Sequence, residues 1–262
     1  MDDRSPVEDL LPDRTRAVIL AGGRGTRLAP YTSVLPKPLM PIGDRAILEI
    51  LLGQLGEQGF RDIVLCVGHL SHLIRAVFDH GGPQAANGSR PQRIAYHYEQ
   101  QPLGTAGPLR LVDGLDRTFL VMNGDLLTTL DYADLLSRHR ESDNILTIAS
   151  KRRGIALDYG VLHLETATDE LPRVTGYQEK PEFTSTVSMG VYAVEPRALA
   201  YIPPEGAFDF PDLVHALLEA GEPVGAYPYD GLWFDIGRRD DYERAVVAWQ
   251  NSEFSDASRA EA

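Results

Sequence analysis

Apolar residues recur along this chain with two different spacings. Thr15-Arg-Ala-Val-Ile-Leu-Ala21 is a short, nearly continuous apolar run cut off by Gly22-Gly-Arg-Gly-Thr26, which predicts a buried strand ending in a glycine turn. From Arg45 to Gln58 the apolar positions Ile47, Leu48, Leu51, Leu52 and Leu55 follow helical spacing and stop near Gly59, and Ile63–Val67 is strand-like again. The alternation goes on with a helix around Leu73–Phe78, a strand near Ile94–Tyr98, a helix from Thr105, a strand Thr118–Met122 and a helix Tyr132–Arg140. Strands alternating with helices build a mostly parallel sheet with helices on both faces.

Beyond Asn144 the texture changes. Strand-like runs at Ile145–Ser150, Tyr159–Leu164, Arg173–Gln178 and Val187–Val194 precede a helix at Pro211–Ala220, a strand near Leu232–Asp235 and a helix at Asp240–Gln250. This predicts a mixed-sheet half, about 144–250, continuous with a Rossmann-like half, about 15–143, in one α/β domain spanning 15–250. The lead-in 1–14 and the small, polar tail 251–262 are expected to be flexible. No fixed-period repeat is present, so no C-terminal β-helix is expected.

Composition narrows the function. The 262 residues are 43% hydrophobic and 24% charged, as in ordinary soluble globular proteins. No apolar run approaches the ~20 residues that span a bilayer, and Met1–Leu11 is acidic where a secretory signal would be basic, so a cytoplasmic protein without membrane contact is expected. The net charge of −13 argues against a nucleic-acid partner. Cys66 sits alone inside an apolar run and reads as core packing. The histidines show no metal-ligand spacing. Only Lys37, Lys151 and Lys180 carry lysine charge among many arginines, and two of them lie in the motifs that follow.

Leu20-Ala-Gly-Gly-Arg-Gly-Thr-Arg-Leu28 follows the first strand directly. Glycines let backbone N–H groups approach a phosphate closely, and Arg24 and Arg27 add charge-assisted hydrogen bonds. The turn is not a Walker A loop, and it departs from the dinucleotide fingerprint because Leu28 stands where a third glycine belongs, which disfavours a nicotinamide-dependent dehydrogenase. Leu35-Pro-Lys-Pro-Leu39 presents Lys37 between two prolines that limit its backbone freedom. In these motifs the chain resembles the sugar-1-phosphate nucleotidylyltransferases, or sugar-nucleotide pyrophosphorylases, from about residue 16 to 247. Its pattern is most similar to the short mannose-1-phosphate guanylyltransferase-like members.

The resemblance implies a role for each later motif. Glu99-Gln-Gln-Pro-Leu-Gly-Thr-Ala-Gly107 resembles the base-reading loop. Glu99 is a pure acceptor, matching the N1–H and exocyclic amine donors of guanine, so GTP is favoured over the other triphosphates. Expected nucleotide-binding residues are Leu20, Ala21, Gly22, Gly23, Arg24, Gly25, Thr26, Arg27, Lys37, Glu99, Pro102, Gly104, Thr105, Asn123 and Gly124. Asp125, at a strand end in Val121-Met-Asn-Gly-Asp125, and Asp235, in Trp233-Phe-Asp-Ile-Gly237, are the implied magnesium ligands. Gly160, Glu179, Lys180 and Gly190 are expected on the sugar-phosphate side, and Arg27, Lys37, Asp125 and Lys180 as the catalytic set. The implied partners are a nucleoside triphosphate and a mannose-, heptose- or cyclitol-type sugar 1-phosphate, with self-association of the chain. The alternatives are a uridylyl-, thymidylyl- or adenylyltransferase acting on glucose 1-phosphate or a related sugar phosphate, and a catalytically silent subunit that senses nucleotide-sugars.

Overall fold

Burial on both faces of β1 (Arg16–Ala21) explains the architecture around it. Ala17, Ile19 and Ala21 enter one apolar cluster, while Val18 enters a second with Leu20 packed against it. A strand apolar on both sides needs cover on both, and the computed structural model, which describes residues 12–23, 25, 28, 31–79, 92–165, 171–251 and 253–254, provides it. The expected lead-in and tail fall mostly outside the described residues.

After β1 come a small hairpin, β2 (Pro41–Ile42) and β3 (Arg45–Ala46), then α1 (Ile47–Glu57), β4 (Asp62–Val67), α2 (Ser71–Phe78) and β5 (Arg93–Tyr98). β6 (Phe119–Asn123), β7 (Leu126–Thr128) and α3 (Tyr132–Glu141) complete the first half. The second half contains β8 (Leu146–Ala156), β9 (Val161–Leu164), β10 (Val174–Gln178), β11 (Glu182–Val194), α4 (Phe210–Glu219), β12 (Val224–Pro228), β13 (Trp233–Asp235) and α5 (Arg239–Gln250).

The main sheet has seven strands in the order β12-β8-β11-β6-β1-β4-β5. β1 pairs in parallel with β4 and β6, β4 with β5, and β12 with β8; β11 runs antiparallel between β6 and β8. The sheet is therefore mostly parallel. One face packs on α1, α2 and α3 through Leu48, Leu51, Leu52, Leu55, Ile74, Phe78, Leu135 and Leu136. The other packs on α4 through Phe210, Leu213 and Leu217. α5 closes a third cluster with Phe234, Ile236 and the start of α1. No β-helix is found among the described residues, in line with expectation.

Besides the short β2, β3 and β7, which were not expected, four elements differ from the sequence reading. The helix expected from Thr105 is a 3-10 turn at Gly107–Leu111, because the Ala106 and Gly107 amides both donate to the Phe208 carbonyl and Gly114, at φ 73°, soon turns the chain away. β8 and β11 are longer than their apolar cores, pairing out to Ala156 and Glu182 as an exposed, largely polar ribbon. β12 was not expected, since Gly225 and Pro228 interrupt its pattern; it adds in parallel to the β8 edge.

Candidate active site

The crossover that carries the chain from β5 back to β6 places β6 on the other side of β1 from β4, so the connections leaving the paired carboxyl ends of β1 and β6 run in opposite directions. Such a switch point opens a crevice. A cavity of about 430 Å³ lies there, lined by Leu20, Ala21, Gly22, Gly23, Gly25, Lys37, Pro38, Glu99, Pro102, Gly104, Thr105, Asn123, Gly124, Asp125 and Asp209. Every nucleotide-side residue expected from the sequence is on this wall except Arg24, Thr26 and Arg27, which lie outside the described residues. Pro38 and Asp209 are additions.

The glycine turn has an ordered polarity. A side chain at Gly22 would overlap the Glu99 carboxylate, so the turn starts against Glu99. At its other end Gly25 adopts φ 62°, its carbonyl accepts from the buried Thr32 hydroxyl at 2.7 Å, and a Cβ there would meet Thr32 and the Lys37 Cβ. Thr32 thus pins the left-handed residue that glycine alone holds without strain. It carried no chemical signal in the sequence and is found only by its contact.

Glu99 is half-buried. One carboxylate oxygen accepts from the Leu103 amide at 3.2 Å, and burial pushes the carboxyl above its usual range, the amide pulling it partly back. Lys37 opens the 3-10 turn Lys37–Leu39 and makes a short ion pair with Asp125, both side chains mostly buried. A cation and a carboxylate therefore stand side by side in the cavity wall that also holds Glu99.

Asp235 reaches the same region through its strand. β13 pairs antiparallel with β7, Asp235 opposite Leu126, and the Ile236 amide donates to the Asp125 carbonyl at 3.0 Å. The Asp235 side chain accepts from the Gly237 amide at 2.9 Å. Asp125 lines the cavity, whereas Asp235, on the strand paired beside it, is not part of the wall; two carboxylates so close on neighbouring strand ends suit a hard divalent cation that completes its shell with phosphate oxygens and water. No group of three or more potential metal ligands occurs among the described residues.

A family model described as nucleotidyl transferase matches residues 16–252. The chain belongs to the nucleotidyl transferase family. This nucleotidyl transferase is 35% identical over 245 residues to the UTP–glucose-1-phosphate uridylyltransferase of Synechocystis sp. and 32% identical over 234 residues to the mannose-1-phosphate guanylyltransferase of Mycobacterium tuberculosis. The alignments cover 88% and 87% of the chain, which spans 62% of the length of either relative. Among solved structures, HddC from Yersinia pseudotuberculosis complexed with GMP-PN matches with a TM-score of 0.64 at 25% identity, covering 90% of this chain and 99% of that one. A UDP-glucose pyrophosphorylase complexed with UDP-glucose shares the fold, with a TM-score of 0.67 at 18% identity over 91% of this chain and 99% of that one.

The candidate sugar-side residues of this nucleotidyl transferase are split between two places. Gly190, at φ 75° in the bulge of β11, lies behind the cleft wall, where a side chain would strike the Asn123 amide. Gly160 and Glu179 meet on the exposed β9–β10 hairpin: Gly160 makes room for the Tyr177 ring, whose hydroxyl donates to Glu179. Lys180, at φ 43°, pairs with Asp158 at 2.6 Å, both exposed, and is not part of the cavity wall. Cys66 is buried with its thiol pushed up to about 12, mainly by loss of water and further by the Glu99 charge, so it is chemically inert as expected. Among the described residues no helix is long and apolar enough to cross a membrane.

Proposed function

We propose that this chain transfers a nucleoside monophosphate from a nucleoside triphosphate to a sugar 1-phosphate, giving a nucleotide-sugar and pyrophosphate. The observation that carries this reading is the polarity of the glycine turn, with Glu99 at Gly22 and Lys37 at Gly25. A triphosphate laid along it puts its base against the acceptor loop and its phosphates against the cation.

An oxygen of the sugar phosphate attacks the α-phosphorus, a new P–O bond forms there, and the bond to the β-phosphate oxygen breaks as pyrophosphate leaves. The attacking phosphate is already ionised, so no general base is needed. What the residues supply is alignment and charge. Lys37, and Arg27 by resemblance, hold the triphosphate and the departing charge, and Lys180 steers the incoming phosphate once it exchanges Asp158 for substrate. Asp125 and Asp235 would hold a magnesium ion, which supplies charge neutralisation at the α-phosphate.

GTP is the favoured donor. Glu99 presents a carboxylate to guanine's donor edge, and the Mycobacterium relative is named a guanylyltransferase. A uridylyl reading is favoured by the name of the Synechocystis relative, at 35% identity. The acceptor is a hexose-, heptose- or cyclitol-type phosphate whose hydroxyls meet Glu179.

Pyrophosphate release, measured across four nucleoside triphosphates and a panel of sugar phosphates with magnesium, tests the reading. GTP with mannose 1-phosphate is expected among the productive pairs. Lys37→Ala and Asp125→Asn should each lower kcat by ~100-fold or more, the scale of losing one positioned charge in a dry site, with the fold intact by circular dichroism. Turnover within a few-fold of wild type in both variants would overturn the site, and no pyrophosphate from any pair would support the silent sensing subunit.

A further inference from the structure

The base-side loop 99–107 has no helix of its own to stand on. Its support comes from residues 208–210, which arrive from the other half of the chain at the start of α4. The Leu103 carbonyl accepts from the Phe208 amide at 2.8 Å, and the Phe208 carbonyl accepts from the Ala106 and Gly107 amides at 2.9 and 2.8 Å. Asp209 Oδ1 takes both the Thr105 amide at 2.8 Å and the Thr105 hydroxyl at 3.1 Å. The Thr105 oxygen in turn accepts from the Phe210 amide at 2.8 Å. Gly104 between them is at φ 80°, and a side chain there would meet the Phe208 carbonyl.

Leu103 links this clamp to the acceptor: its carbonyl is held by Phe208 and its amide holds the Glu99 carboxylate. Asp209 itself lines the cavity. We propose that Asp209 is a positioning residue for the nucleotide base, fixing the 99–107 loop, and through it Glu99, in the arrangement that receives a nucleoside triphosphate. This rests on the cleft being the nucleotide site, as proposed above. It also makes the second half of the chain a contributor to nucleotide affinity.

The charge-assisted bond to Thr105 is the strongest single contact in the clamp by type. Loss of one such bond corresponds to roughly ten- to hundredfold in affinity. Calorimetric titration of the full chain with GTP and, separately, UTP, both with magnesium, reads this directly. Asp209→Ala should weaken binding of the preferred triphosphate by about that factor and raise its KM, with kcat and the KM for sugar phosphate little changed. Asp209→Asn keeps an acceptor oxygen for the Thr105 amide and should restore binding to within about threefold.

Asp209 also caps α4 in a reciprocal box with Asp212, whose carboxylate accepts from the Asp209 amide at 2.9 Å. Asp212→Ala is therefore the control: it weakens the helix start without touching the loop, and should lower the melting temperature while leaving triphosphate binding unchanged. The proposal is overturned if Asp209→Ala binds within twofold of wild type, or if Asp212→Ala weakens binding as much as Asp209→Ala does. Wild-type protein that binds neither triphosphate would overturn the cleft assignment as well, which separates the two failures.

Discussion

The Glu99 carboxylate gives up water against Gly22 and recovers one amide, that of Leu103. Its pKa is raised by burial, so its charged form is less favourable in the folded protein than in the unfolded one. A carboxyl whose folded value is raised costs stability at neutral pH, and the cost disappears as pH falls below its ordinary value of 4.5. Glu99→Gln keeps an acceptor for the Leu103 amide and removes the charge. It should raise the melting temperature at neutral pH, with the gain shrinking in acid, while weakening GTP by about tenfold through loss of a charged acceptor. A melting temperature that falls at neutral pH would contradict this. Glu99 was legible in the sequence through the resemblance of Glu99-Gln-Gln-Pro-Leu-Gly-Thr-Ala-Gly107 to the base-reading loop of the family. Asp209 was not, because Asp209-Phe-Pro-Asp212 reads locally as a helix cap and its partner Thr105 is 104 residues away.

At the scale of elements, Glu195 just after β11 gathers three others. It accepts from His139 on α3 at 3.2 Å and from Thr118 before β6 at 2.5 Å, while the other His139 nitrogen meets Thr147 on β8 at 2.7 Å. The His139 bond, ahead of the others, holds the Glu195 carboxyl below its usual range despite partial burial. For a carboxyl lowered on folding, the stabilisation is full above its ordinary value and is lost as pH falls through the folded one. Glu195→Gln should therefore lower the urea midpoint at neutral pH and flatten its decline in acid; an acid limb as steep as wild type would exclude this linkage. The buried strands of the first half were legible because their apolar runs sit between turn residues. The outer parts of β8 and β11 were not, since Arg152–Ala156 and Glu182–Thr186 pair through backbone while their side chains face water. β12 was hidden for a related reason: an edge strand tolerates Gly225 and Pro228, which in a sequence signal a break.

The whole molecule is acidic, with a net charge of −13, and carries a cavity at the switch point of its seven-stranded sheet. The mostly parallel fold was legible from alternation alone; the reversed direction of β11 was not, because direction leaves no mark on a strand's composition. That reversal has a consequence for synthesis. β6 finishes at Asn123, yet its neighbour β11 runs from Glu182 to Val194, so a growing chain carries an open, apolar sheet margin until some seventy further residues have left the ribosome. A fragment ending at residue 143 should accordingly precipitate or bind a chaperone, whereas one extended through residue 228 should stay in solution, as read by sedimentation after expression. The molecule completes its nucleotide-side half only by borrowing a strand made later, and any shortened version must keep that loan.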